Sequence, residues 1–168
     1  LRIARKFPGR ADEAQAELDQ WVIDAVRAGR QVVRLKAGDP CVFGRGGEEI
    51  ETLRAHGIEV TVIPGITSAL SAPLSAGISL TMRGVADRIH ILTGHGAEGA
   101  AVSMPQFESH TSYVWLMSVG RLEAVVRGML DRGAPESWPA ALVERASRPG
   151  QRAVRAPLAH LPALVADG

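Results

Sequence analysis

At 168 residues, 46% of them hydrophobic, the chain is long enough to bury a core and to form either one medium domain or two small ones. A formal net charge of +1, with no basic run interleaved with aromatics, argues against nucleic acid or a membrane surface as the partner. The single Cys41 excludes an internal disulfide framework, no Cys/His cluster has zinc spacing, and no apolar run reaches membrane-spanning length, so a soluble, cytosolic protein without a metal is expected. The basic start Leu1-Arg-Ile-Ala-Arg-Lys6 lacks the apolar stretch of a signal peptide. Basic residues comprise 17 Arg and 2 Lys, an excess read mainly as composition bias, with function reserved for arginines in unusual positions.

From Ala11 to Arg30, the apolar residues Ala14, Leu18, Trp21, Val22, Ala25 and Val26 share a helical face, and Gly29 supplies a stop. The β-branched run Gln31 to Lys36 then reads as a strand emptying into Ala-Gly-Asp-Pro. A helix follows from Gly46 to Gly57, with Ile50 and Leu53 inward. Ile58 to Ile63 reads as a second strand, broken by Pro64-Gly65, and Thr67 and Ser68 can cap a helix running toward Gly77, which Pro73 should kink or divide. Ile78 to Gly84 reads as a linker. After it come a strand Arg88 to Thr93, a strand Ser112 to Met117, a helix Arg121 to Arg132, a strand Ala140 to Glu144, a short strand near Ala153 and a helix from Pro157 to about Ala166. Gly96 to His110 is weakly periodic and reads as a mobile loop rather than core.

This rhythm implies an α/β fold with a largely parallel sheet covered on both faces, in which ligands collect outside the carboxyl ends of strands. Ala-Gly-Asp-Pro and Pro-Gly-Ile-Thr-Ser both stand directly after expected strands. The expected organisation is an N-terminal α/β domain over 1–79, a linker over 80–84 and a C-terminal α/β domain over 85–168, with a cleft between the two.

Several residues in these loops have two readings from pattern alone. Arg45 lies at a helix N-terminus, where a cation is disfavoured, so it needs Glu48, Glu49 or a bound anion as partner. Glu48 and Glu49 in the first turn are explained by the helix dipole. Asp39 either braces its own loop or holds a ligand's amino or hydroxyl groups. Thr67 and Ser68 are caps, or donors beside a ligand carboxylate. Arg83 is a solvated linker residue or a substrate contact, His95 a polar loop residue or a proton carrier, and Met117 a core filler or a thioether against a purine.

Taken in order, Val33-Arg-Leu-Lys-Ala-Gly-Asp-Pro40, Phe43-Gly-Arg-Gly-Gly-Glu-Glu49, Val62-Ile-Pro-Gly-Ile-Thr-Ser-Ala-Leu-Ser-Ala-Pro73, Leu80-Thr-Met-Arg-Gly84, Thr93-Gly-His95, Met117 and Val143-Glu-Arg-Ala-Ser147 resemble the tetrapyrrole methylases, and most closely the uroporphyrinogen-III C-methyltransferases. The form of Ile3 to Arg10 and of Arg83 to Asp87 is more similar to the fungal branch. The resemblance implies two α/β domains with S-adenosylmethionine folded between them, a uroporphyrinogen-type tetrapyrrole substrate, S-adenosylhomocysteine as product, and a homodimer. It implies cofactor contacts at Ala37, Gly38, Asp39, Thr67, Ser68, Met117 and Ala146. It places Arg45, Glu48 and Arg83 on the substrate side, with Arg45 and Glu48 as the catalytic pair, and it calls for no metal.

Two positions depart from the family pattern: Ala37 stands where glycine is usual, and Met82 where His or Gln precedes the arginine. The family's first strand and its Gly-Pro-Gly-Asp loop are expected before residue 1, and its closing strand after Gly168. The rival readings are a precorrin methyltransferase, against which the central Arg-Gly-Gly-Glu argues, and a catalytically silent binding or dimerisation module that retains the cleft but lacks the first loop.

Overall fold

The computed structural model describes residues 11–95 and 102–166. The Ile3 to Arg10 motif and the first part of the Gly96 to His110 loop lie outside them. The chain separates into two compact units, Leu1–Thr67 and Ser68–Gly168.

In the first unit, helix α1 (Ala11–Arg27) packs on α2 (Gly46–Ala55). The apolar spacing of α1 buries Val22, Ile23 and Ala25, with Ile23 only 2% exposed. Asp12 and Glu13 in its first turn and Arg27 in its last suit the helix dipole. The helix stops three residues before Arg30 because Gly29 takes φ 75, letting the Gly29 and Arg30 amides turn back onto the Val26 and Ala25 carbonyls. Gly57, Gly77 and Gly133 end the next three long helices with the same doubled bonding.

The two strands expected at Gln31–Lys36 and Ile58–Ile63 do not form: neither segment is paired in a ladder among the described residues. β-branched residues favour extension, but a strand exists only when a second one accepts its hydrogen bonds. The Gln31–Lys36 run instead turns Arg34 and Lys36 inward and leaves Val33 and Leu35 76% and 78% exposed.

The second unit begins with helix α3 (Ser68–Ser75), whose Ala69 is fully buried and which lies against the later strand Thr111–Leu116. Pro73 does not divide it: the helix runs on for two residues, the bond forfeited being the one to the Ala69 carbonyl. Residues 82–86 close a tight turn in which the Met82 amide donates to Ala86 O at 3.0 Å, and the Ser112 hydroxyl ties the approach to it by donating to Leu80 O at 2.7 Å.

Among the described residues the strands that pair all lie in the second unit, where they form two separate ladders. β1 (Arg88–Thr93) runs parallel to β2 (Thr111–Leu116), Arg88 opposite Thr111 and Thr93 opposite Leu116. β3 (Pro139–Glu144) runs antiparallel to β4 (Arg152–Pro157). The connection between β3 and β4 is too short for a parallel crossover, which needs a dozen residues or more. Helix α4 (Leu122–Asp131) buries Val125, Val126 and Met129, and α5 (Leu161–Ala166) closes on β4 with Leu161 in the core.

The described part of the expected mobile loop is packed rather than loose. Phe107 stacks on Tyr113 and meets Trp138 edge-on at 4.8 Å, the Tyr113 hydroxyl accepts the Glu108 amide, and Gln106 donates to Arg132 O. Aromatic packing, which helical or strand periodicity does not register, orders this stretch.

Candidate functional site

In the first unit the Ala37-Gly38-Asp39-Pro40 loop and the Pro64-Gly65 loop touch backbone to backbone. A Cβ on Gly65 would stand 2.1 Å from Gly38 O, so only glycine allows the approach. Asp39 braces the crossing: Oδ1 accepts the Cys41 amide at 2.9 Å and Oδ2 the Gly65 amide at 3.4 Å. Of its two sequence readings, loop bracing is therefore realised, and a carboxylate with four lone-pair sites keeps acceptor capacity beyond those two bonds. Gly38, at φ 68, lies in contact range of Thr67, which immediately precedes α3. Ala37 is exposed in the same bend.

The glycines of Gly44-Arg-Gly46 have a structural use. The Gly46 amide donates to Pro40 O at 2.9 Å, and a Cβ on Gly44 or Gly46 would fall 2.6 or 2.3 Å from that oxygen. The chain thus wraps around one carbonyl and delivers Arg45 to the N-cap of α2 in a left-handed conformation, φ 58 and ψ 18. There the guanidinium meets two carboxylates of its own chain. Nε and Nη2 donate to Glu48 Oε2 at 2.9 and 2.6 Å, and Nη1 reaches Asp12 Oδ1 at 2.8 Å. The Glu48 hydrogen bond, with the charge of Glu48 and the hydrogen bond and charge of Asp12, outweighs the opposing effect of burial and holds the Arg45 pKa above its ordinary value.

Glu49 is a feature the sequence reading missed. Only 6% exposed, it accepts from Lys36 Nζ at 2.5 Å, Gln15 Nε2 at 3.1 Å and Arg34 Nη2 at 3.4 Å, tying α1, the extended run and α2 to one carboxylate. Burial alone would raise its pKa, but the Lys36 hydrogen bond and the charges of Arg34 and Lys36 bring it below the usual carboxylate value. The available signal was the alternation of Arg34 and Lys36 on one face of an apolar run.

In the second unit, Thr93-Gly-His95 and Met117 come together where the parallel strands β1 and β2 end. The Gly94 amide donates to Leu116 O at 2.7 Å, and a Cβ on Gly94 would lie 2.7 Å from Met117 O. Met117 is 53% exposed, so it is not core filling. His95 is exposed, its amide bonded to Thr93 Oγ1. Ala146 is half-buried in the bend after β3, Ser68 opens α3, and Arg83 is exposed in the 82–86 turn. Among the described residues no three of His, Cys, Asp and Glu gather into a metal-ligating group, and no helix is long and apolar enough to cross a membrane.

Backbone strain has a pattern of its own. Among the described residues, five that are not glycine have positive φ: Phe43, Arg45, Met117, Arg145 and Ser147. Each costs on the order of 1–2 kcal/mol, and such residues gather where a site demands them. All five fall within or beside the three loops that carry Arg45, Met117 and Ala146. Helices and strands together, with strained loops at the start of α2 and after β2 and β3, place the chain in the α/β class.

Comparison with known proteins makes the assignment specific. The family described as Tetrapyrrole (Corrin/Porphyrin) Methylases matches residues 2–162. A probable uroporphyrinogen-III C-methyltransferase of Schizosaccharomyces pombe is 51% identical over 152 residues, covering 90% of this chain and 31% of that protein. The uroporphyrinogen-III C-methyltransferase of Saccharomyces cerevisiae is 42% identical over 165 residues, 98% of this chain and 28% of that one. Among solved structures, uroporphyrin-III C-methyl transferase from Thermus thermophilus complexed with S-adenyl homocysteine superposes with a TM-score of 0.77 at 39% identity, over 92% of this chain and 67% of that one. The chain belongs to the tetrapyrrole methylases, and it spans less than a third of the length of these fungal relatives.

Proposed function

We propose that this chain carries S-adenosylmethionine-dependent C-methylation of uroporphyrinogen III toward precorrin-2, in sirohaem- and cobalamin-type tetrapyrrole synthesis, in the cytosol and as a homodimer. The observation that carries the reading is the coincidence of the five left-handed non-glycine residues with the loops holding the family's site positions. The relatives named above support the choice of substrate and cofactor. As functional halves we retain residues 1–79 and 85–168, joined through 80–84.

The residues fit the cofactor's chemistry. Asp39 keeps lone pairs for an ammonium or ribose hydroxyl, Met117 offers an exposed thioether to a purine, and the backbone of Ala37, Gly38 and Ala146, with Thr67 and Ser68, supplies donors and acceptors. When bound, the sulfonium supplies an already activated methyl group, so the protein's task is alignment with an electron-rich pyrrole carbon and provision for loss of a proton. Arg45 and Arg83 clamp the acetate and propionate rim of the substrate. Glu48 orients the Arg45 fork. With one guanidinium between two carboxylates, the Arg45 cluster has a formal charge of −1 (+1 − 2), so an incoming acetate must displace a partner. Asp12, 72% exposed, is the partner more easily given up.

The reading is tested by titration calorimetry with S-adenosylhomocysteine and by methyl transfer to uroporphyrinogen III. Binding with turnover is expected. Binding without turnover would turn the assignment to a silent module, and absence of binding would overturn it.

A further inference from the structure

After β3, the chain reverses through Arg145 at φ 53, Ala146, and Ser147 at φ 60. Two successive turns, Arg148 N–H to Arg145 O and Gln151 N–H to Arg148 O, both at 3.0 Å, carry Gln151 back toward the start of this bend. Its carboxamide then makes two bonds of opposite sense. Oε1 accepts the Ser147 amide at 2.7 Å, and Nε2 donates to the carbonyl of Ser75, the last residue of α3, at 3.0 Å. One side chain thus joins the strained Ala146 bend to the end of the helix that Ser68 opens. Arg155 donates to the neighbouring Ala76 carbonyl and anchors the same helix without bonding to the bend.

We propose that Gln151 is a positioning residue that fixes the spacing between the Ala146 bend and α3, and with it the contacts these two elements make with S-adenosylmethionine. The proposal rests on the methyltransferase reading for the cofactor, though the bridge itself does not. Both ends of the amide are used, so neither Glu, which lacks the donor, nor Asn, one methylene shorter, reproduces the bridge. Two left-handed residues on either side of Ala146 would relax if the Ser147 amide were released, and the bend would lose its single geometry.

The test compares Gln151→Ala, Gln151→Glu and Arg155→Ala in this chain by calorimetry with S-adenosylhomocysteine, steady-state kinetics, thermal melting and amide hydrogen exchange at Ser147. Gln151→Ala is expected to weaken S-adenosylhomocysteine about tenfold and to raise KM for S-adenosylmethionine more than it lowers kcat. It should also speed Ser147 exchange with little change in melting temperature. Gln151→Glu, which keeps the acceptor, should restore Ser147 protection and part of the affinity. Arg155→Ala should lower the melting temperature and leave Ser147 exchange as it is. Wild-type affinity in a folded Gln151→Ala protein, or an equal loss in Arg155→Ala, overturns the proposal. Should the unaltered chain not bind S-adenosylhomocysteine, the methyltransferase reading fails, and Ser147 exchange alone decides whether the bridge holds the bend.

Discussion

Replacing Glu49 by Gln keeps the shape of the side chain and removes the charge on which Gln15, Arg34 and Lys36 converge. Breaking a fully buried ion pair costs about 3–5 kcal/mol, because the remaining charge is left without a counterion. Lys36 is close to that limit, its side chain 11% exposed, whereas Arg34 at 29% retains some water, and the Gln carbonyl still accepts one hydrogen bond. The expected loss is therefore about 2–3 kcal/mol, or about 5–10 °C in melting temperature for a chain of this size. Urea denaturation followed by circular dichroism reads it as a lower midpoint with an unchanged slope. The pH dependence gives a second reading. Because the folded-state pKa of Glu49 lies below its unfolded value, its contribution is present above the ordinary carboxylate range and is lost as pH falls through the depressed folded value. The gap between the two proteins should therefore close on acidification through that window. A Glu49→Gln protein within about 0.5 kcal/mol of the parent, the usual range for surface substitutions, or a gap independent of pH, would refute the hub.

Arg45→Ala is expected to reduce turnover on uroporphyrinogen III far more than affinity for S-adenosylhomocysteine, and Asp12→Ala to lower KM for the tetrapyrrole by freeing Nη1; an unchanged rate in the first or a raised KM in the second would remove Arg45 from the substrate side. Gly65→Ala should cost about 1–3 kcal/mol and weaken S-adenosylhomocysteine, since the added methyl meets the Gly38 carbonyl. By contrast, Gly47→Ala, inside α2 with nothing within 4 Å, should stabilise by about 0.5–1 kcal/mol. Thermal melts of the pair distinguish a glycine needed for close approach from one that only loosens a helix. Tyr113→Phe releases the exposed Glu108 amide and Gln106 carbonyl to water, and a loss of about 0.5–1 kcal/mol should appear in the same melts.

Local signals located most of the elements. β1 spans the expected residues Arg88 to Thr93, β2 and β3 begin one residue early, and the helices stop near Gly29, Gly57, Gly77 and Gly133 because a left-handed cap is decided within a few residues of chain. Motif order sufficed for the family, since the spacing of loops along a chain survives without coordinates. Pairing was not legible in the same way. Gln31–Lys36 and β1 have similar β-branched content, yet one finds a neighbour in the described structure and the other does not; a ladder is a relation between distant segments.

The sequence by itself singled out the candidates: Asp39, Arg45, Glu48, Arg83 and Met117 stand out by type and by position next to glycine or at element ends. Only the tertiary structure decided what each side chain meets. Arg45 is shared between Glu48, three residues away, and Asp12, on another helix; Glu49, its immediate neighbour in the motif, is turned inward onto Lys36; and Gln151 reaches back 76 residues to Ser75. Hydrogen bonds and charge pairs act over a few ångströms, and which groups come that close is set by how the elements pack, a quantity that no window of sequence contains.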